Sequence, residues 1–86
     1  MLSLEELGDQ LRVIDQNIVS LLAERMAIAL QVEEWKEAHN QSIIRPEIED
    51  KRLIEAREWA LIQGINPNFI SSIFYFIIRE SCAVQI

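Results

Sequence analysis

Leu7, Leu11, Ile14, Ile18, Leu21, Arg25, Ile28, Val32 and Trp35 follow one another at alternating steps of four and three residues. That spacing keeps one side of an α-helix apolar over many turns, and here it is sustained over four heptads. Neither glycine nor proline interrupts the chain from Asp9 to Gln41. Ser3 followed by Glu6 is a capping box, with Leu2 and Leu7 spaced for the hydrophobic staple, so the pattern predicts a helix beginning near Leu4. The polar stretch Asn40-Gln41-Ser42 ends it.

Pro46, with Glu47 and Glu49 behind it, predicts the start of a second helix, because proline suits the first helical turn and acids suit its dipole. Gly64 then reads as the residue just past its C-terminus. Asn66-Pro67 is an N-cap followed by a first-turn proline, opening a third helix that runs to the end of the sequence. Repeats, linkers and low-complexity segments are absent, so residues 1–86 are expected to form a single all-α domain of three helices.

Length turns this pattern into a statement about assembly. A first helix of roughly 35 residues spans about 50 Å, whereas a compact globule of this size is only about 30 Å across. The overhang keeps its apolar stripe and needs a cover. A homodimer built on paired long helices is the expected architecture.

Composition narrows the function classes. The chain has 86 residues, half of them apolar, and only two glycines and two prolines, too few for a loop-rich or all-β protein. A formal charge of −6 argues against nucleic acid or an anionic membrane surface as a partner. No apolar run reaches the roughly 18 to 20 residues of a membrane span, and Met1-Leu2-Ser3-Leu4-Glu5-Glu6 lacks the basic start of a signal peptide, so a cytoplasmic location is expected. With Cys82 the only cysteine and His39 the only histidine, neither a disulfide framework nor a zinc cluster is expected. Cys82 reads as packing and His39 as surface.

The candidate chemistry lies where polar residues interrupt the stripes. Arg25 occupies a stripe position that calls for Ile or Leu, and Lys36, eleven residues on, returns to within roughly 20° of it. Taken singly, Arg25 reads as a snorkelling or salt-bridged arginine and Lys36 as a solvated lysine. In the second helix Glu49 heads the stripe of Leu53, Ala56 and Ala60, where alone it only complements the helix dipole. In the third, Ile70, Phe74, Ile77 and Ser81 form the stripe and Gln85 follows one turn later. Buried polar groups require partners. Two cations, a carboxylate, a hydroxyl and an amide converging inside a bundle suit a small polar anion that carries a hydroxyl group.

These residues resemble the all-α chorismate mutase family over nearly the whole chain. The resemblance rests on Ile14-Asp15, on Leu21-Leu22-Ala23-Glu24-Arg25, on Lys36, on Pro46-Glu47-Ile48-Glu49, on Gly64, and on Phe76-Ile77-Ile78-Arg79-Glu80-Ser81 with Gln85. It implies an intertwined helical homodimer that rearranges the dianion chorismate to prephenate, or an amino-substituted chorismate in the same way, without metal or cofactor. By the same resemblance, Arg25 binds a substrate carboxylate, Lys36 and Gln85 hydrogen-bond the ether oxygen whose bond breaks, Glu49 holds the ring hydroxyl, and Ser81 helps seat a carboxylate. Asp50 stands one residue from Glu49 as its possible substitute.

The sequence departs from the family pattern at three positions. Gly8 stands where the family has an arginine that reaches across the dimer, Ile48 replaces a usual second-helix arginine, and Arg45 sits where several members carry an acid. Arg12, one turn beyond Gly8 and starting roughly 6 Å further along the axis, is the candidate replacement cation. Two other readings stay open. The neighbourhood of Met26 and of Glu58-Trp59-Ala60 also resembles isochorismate pyruvate lyase, although that enzyme type carries an apolar residue where this chain has Glu49. Gly8 also fits a dimeric regulatory module that has lost the chemistry.

Overall fold

A computed structural model describes the backbone of residues 1–41 and 46–85, and the side chains of residues 1–41 and 46–81. The regular structure of the described residues is entirely helical: α1 (Leu4–Ala38), α2 (Pro46–Gln63) and α3 (Pro67–Gln85). Ser42 and Arg45 lie outside the described residues, as do the side chains of Cys82 and Gln85.

Local chemistry accounts for the helix ends. The Glu6 amide donates to Ser3 Oγ at 3.1 Å, which satisfies one of the orphan donors at the start of α1. At its other end Asn40 takes a left-handed φ of 52°, and the Gln41 amide donates back to the Lys36 carbonyl at 2.9 Å. Gly64, with φ 72°, closes α2 in the same way, through Ile65 N–H to Ala60 at 2.8 Å and Gly64 N–H to Leu61 at 3.2 Å. Both ends are Schellman turns, and asparagine is the usual substitute for glycine at the left-handed position. Asn66 caps α3 by accepting from the Asn68 amide at 2.9 Å.

Helix α3 is the centre of the fold. It packs against both α1 and α2, while α1 and α2 do not meet among the described residues. Small residues set the closeness of these contacts: Ala29 on α1 and Ala56 and Ala60 on α2 are buried, Ala56 completely. The α2 and α3 stripes behave as their spacing predicts, since Leu53, Ile70, Phe74 and Ile77 are half-buried and Ile78 and Ser81 are buried.

The long stripe of α1 does not. Of its nine positions only Arg25 is half-buried, and Leu11, Ile14, Ile18 and Leu21 are all about half exposed or more. Helix α3 instead covers an adjoining strip through Leu22, Met26 and Ala29. The reason is geometric: α1 has more apolar circumference than one neighbouring helix covers. The chain measures 57 × 24 × 16 Å with a radius of gyration of 16.2 Å, against about 12 Å expected for a compact chain of this length. No large side chain is fully buried among the described residues.

Candidate active site

The best-defined polar contact between helices joins the first and third. Arg25 Nη1 donates to Ser81 Oγ at 2.6 Å. The Ser81 hydroxyl spends its own hydrogen on the Ile77 carbonyl one turn back, at 2.9 Å, which aims its lone pairs at the arginine. Met26 Sδ lies 3.8 Å from the same oxygen. Ser81 is buried and Arg25 half-buried, so this cation sits in a medium where its field is less screened than at the surface. A guanidinium held there matches a carboxylate in bidentate fashion.

Lys36 is half-buried in the last turn of α1, on the Arg25 side and about 16 Å further along the axis. Its carbonyl accepts from the His39 and Gln41 amides, so the Schellman turn fixes the backbone from which the ammonium extends. His39 itself is exposed, stacks on Trp35 with centroids 4.0 Å apart, and donates from Nδ1 to the Trp35 carbonyl at 2.7 Å.

Glu49 is half-buried and Asp50 exposed, which favours Glu49 as the inward carboxylate. Glu49 lines a cleft of about 120 Å³ between α2 and α3 together with Asp50, Leu53, Tyr75, Ile78 and Arg79. The Arg79 Nε donates to Tyr75 Oη at 3.1 Å, and the guanidinium lies 5.2 Å from that ring centroid. The cleft opens on the α2 side of α3, whereas Ser81 faces α1.

Within the chain, then, Arg25 and Ser81 are brought into contact, and Lys36 and Glu49 are half-buried on the two helices that pack on α3. Arg12 is not brought to them. It is exposed on α1, lies 3.8 Å from Asp9, and stands about 20 Å along the helix from Arg25. The Gln85 backbone ends α3 one turn beyond Ser81, and its side chain is outside the described residues.

Three neighbours of the site were not singled out from the sequence as its parts. Met26 belongs to the strip Leu22-Met26-Ala29, whose four-three spacing was readable beside the longer stripe. Tyr75 and Arg79 are an i,i+4 pair, a spacing that brings side chains together on a helix. No helix among the described residues is long and apolar enough to cross a membrane.

Comparison with known proteins identifies the family of the chain. The family model described as chorismate mutase type II matches residues 7–86. The chain is 38% identical over 72 residues to a bifunctional chorismate mutase/prephenate dehydratase of Buchnera aphidicola subsp. Schizaphis graminum, covering 84% of this chain and 19% of that protein. It is 32% identical over 78 residues to the T-protein of Enterobacter agglomerans, covering 91% of this chain and 21% of the relative. A third relative, the bifunctional chorismate mutase/prephenate dehydratase of Buchnera aphidicola subsp. Acyrthosiphon pisum, is 34% identical over 77 residues. The chain therefore spans about a fifth of the length of these relatives. No solved structure matches it.

Proposed function

This chain belongs to the chorismate mutase type II family, and on that premise we propose that it catalyses the rearrangement of chorismate to prephenate in a homodimer. The observation that carries the reading is the Arg25–Ser81 contact at 2.6 Å, which fixes a half-buried guanidinium where the family resemblance assigns a substrate carboxylate.

The reaction is unimolecular. The ether carbon–oxygen bond breaks as a carbon–carbon bond forms, with no covalent enzyme intermediate and no cofactor. The protein's contribution is to hold the reactive conformer and to stabilise negative charge that grows on the ether oxygen. Lys36 and Gln85 are the assigned donors to that oxygen. Arg25 and Ser81 seat a carboxylate, and Glu49 accepts from the ring hydroxyl. Arg12 of the second copy is the candidate cation for the other carboxylate, in place of the arginine that Gly8 lacks.

Pairing is supported by surface chemistry. The α1 stripe is left open over its whole length except at Arg25, and Leu4, Leu11, Leu21, Ile62 and Phe76 are each more than 60% exposed in the single chain. Exposed apolar surface on this scale is uncommon on a stable monomer, and at about 25 cal/mol per Å² its burial is the largest favourable term open to so small a chain. A second copy presenting the same stripe covers it.

The test is to incubate the purified protein with chorismate and, separately, with isochorismate, and to identify products. Prephenate from chorismate is the expected result. Salicylate with pyruvate from isochorismate indicates the lyase, and recovery of both substrates unchanged indicates a module without activity.

A further inference from the structure

We infer that Arg57 is a positioning residue for Glu49, acting from about two turns further along α2 through the first two turns of α3; the functional part of this inference rests on the mutase reading above.

Helix α2 packs on α3 and not on α1 among the described residues. Within the chain, the place of Glu49 relative to Arg25 and Ser81 is therefore set through the packing of α2 on α3, to which the cleft of Leu53, Tyr75, Ile78 and Arg79 contributes at one end and Arg57 at the other. Arg57 is half-buried at that corner. Its Nη1, which carries two hydrogens, donates to Asn68 Oδ1 at 2.9 Å and to Ser71 Oγ at 3.1 Å. The acceptors are themselves held. Ser71 Oγ donates to the Asn68 carbonyl at 3.2 Å, Ser72 Oγ donates to the same carbonyl at 2.9 Å, and the Asn68 amide is fixed on Asn66 Oδ1 at 2.9 Å.

Helix electrostatics do not account for a cation here. The first turn of α3 is the positive end of its dipole, and it carries no acidic residue to offset Arg57. The guanidinium is held by directed hydrogen bonds to two acceptors, which fix an orientation as well as a distance. Beside it Ala56 and Ala60 are 0% and 3% exposed, so the two helices approach closely next to the Arg57 contacts.

Leverage makes the corner matter. Glu49 is eight residues before Arg57, about 12 Å along the helix. A rotation of about 5° at the corner moves Glu49 by about 1 Å, a displacement of the size that costs oriented catalysis up to about a hundredfold.

The experiment is a double-mutant cycle in the full chain, with Arg57→Met, which keeps the aliphatic stem, and Glu49→Ala. Arg57→Met should lower kcat/KM on chorismate about tenfold and by less than about twofold in the Glu49→Ala background, because the contact it aims is already gone. Asn68→Ala, which removes one acceptor, should reproduce part of the loss and guards against a fold defect peculiar to position 57. Equal losses in both backgrounds overturn the inference and leave Arg57 a general stabiliser. Amide hydrogen exchange gives a readout independent of activity: residues 49–53 should exchange several-fold faster in Arg57→Met, with the amides of α1 unchanged. Unchanged exchange at 49–53 overturns the clasp even if the wild-type protein proves inactive on chorismate, which would by itself count against the mutase reading.

Discussion

Arg25 and Ser81 are separated by 56 positions in the chain and by 2.6 Å in space. Because the serine hydrogen is committed to Ile77, the serine is an acceptor toward the guanidinium and holds it in one orientation. Ser81→Ala removes that hold without changing the charge. It should weaken chorismate binding several-fold, seen as a raised KM, since the carboxylate contact proposed for Arg25 would be made both before and during reaction. Arg25→Ala should raise KM further. An unchanged KM in both variants would separate the pair from the substrate.

Lys36 is assigned a contact that strengthens only as the ether bond breaks. Lys36→Ala should therefore lower kcat by about a hundred- to a thousandfold, the usual range for loss of one preorganised donor to developing negative charge. Full turnover in this variant would remove Lys36 from the mechanism.

Gly8 sits inside α1 with open space around it, since a Cβ built there meets nothing within 4 Å. Glycine in a helix interior costs about 1 kcal/mol relative to alanine, and arginine is a good helix former, so Gly8→Arg should raise thermal stability slightly. If the pocket lacks a cation for the second carboxylate, the new guanidinium adds a charged hydrogen bond of about 1.5 to 3 kcal/mol, or roughly ten- to a hundredfold in kcat/KM. A folded dimer with no gain on chorismate means that Arg12 already fills the role or that the ligand differs.

Ile18 is 49% exposed in the protomer, so a charge there meets water unless a second copy covers it. Ile18→Glu should abolish pairing and cost several kcal/mol of stability, because burying an unpaired carboxylate is far more expensive than burying isoleucine. Sedimentation that shows the variant at the same mass as the wild type would count against the stripe as the dimer seam.

What could be read from the sequence follows how local the cause is. Ser3, Asn40, Gly64 and Asn66 marked helix ends because caps depend on a few adjacent residues, and each does that work in the structure. Leu53, Ala56 and Ala60 were recognisable as an inward face from spacing alone. The spacing of α1 was less informative, since it marked an apolar stripe but not which neighbour covers it; α3 takes the Leu22-Met26-Ala29 strip instead. Arg25 and Ser81 each looked polar on an inward face, while their direct contact depends on how α1 and α3 cross, which no single helix encodes. The Arg57 contacts to Asn68 and Ser71 were invisible for the same reason.

On the proposed function, this acidic helical chain rearranges chorismate at Arg25 and Lys36 once two copies pair. Its most direct test is the rate of prephenate formation from chorismate, measured with purified protein from nanomolar to micromolar concentration and with the product identified by proton NMR. Prephenate is the expected product, with a specific activity that rises with protein concentration to a plateau as the dimer forms. Chorismate left intact at every concentration, or pyruvate released in place of prephenate, would contradict it.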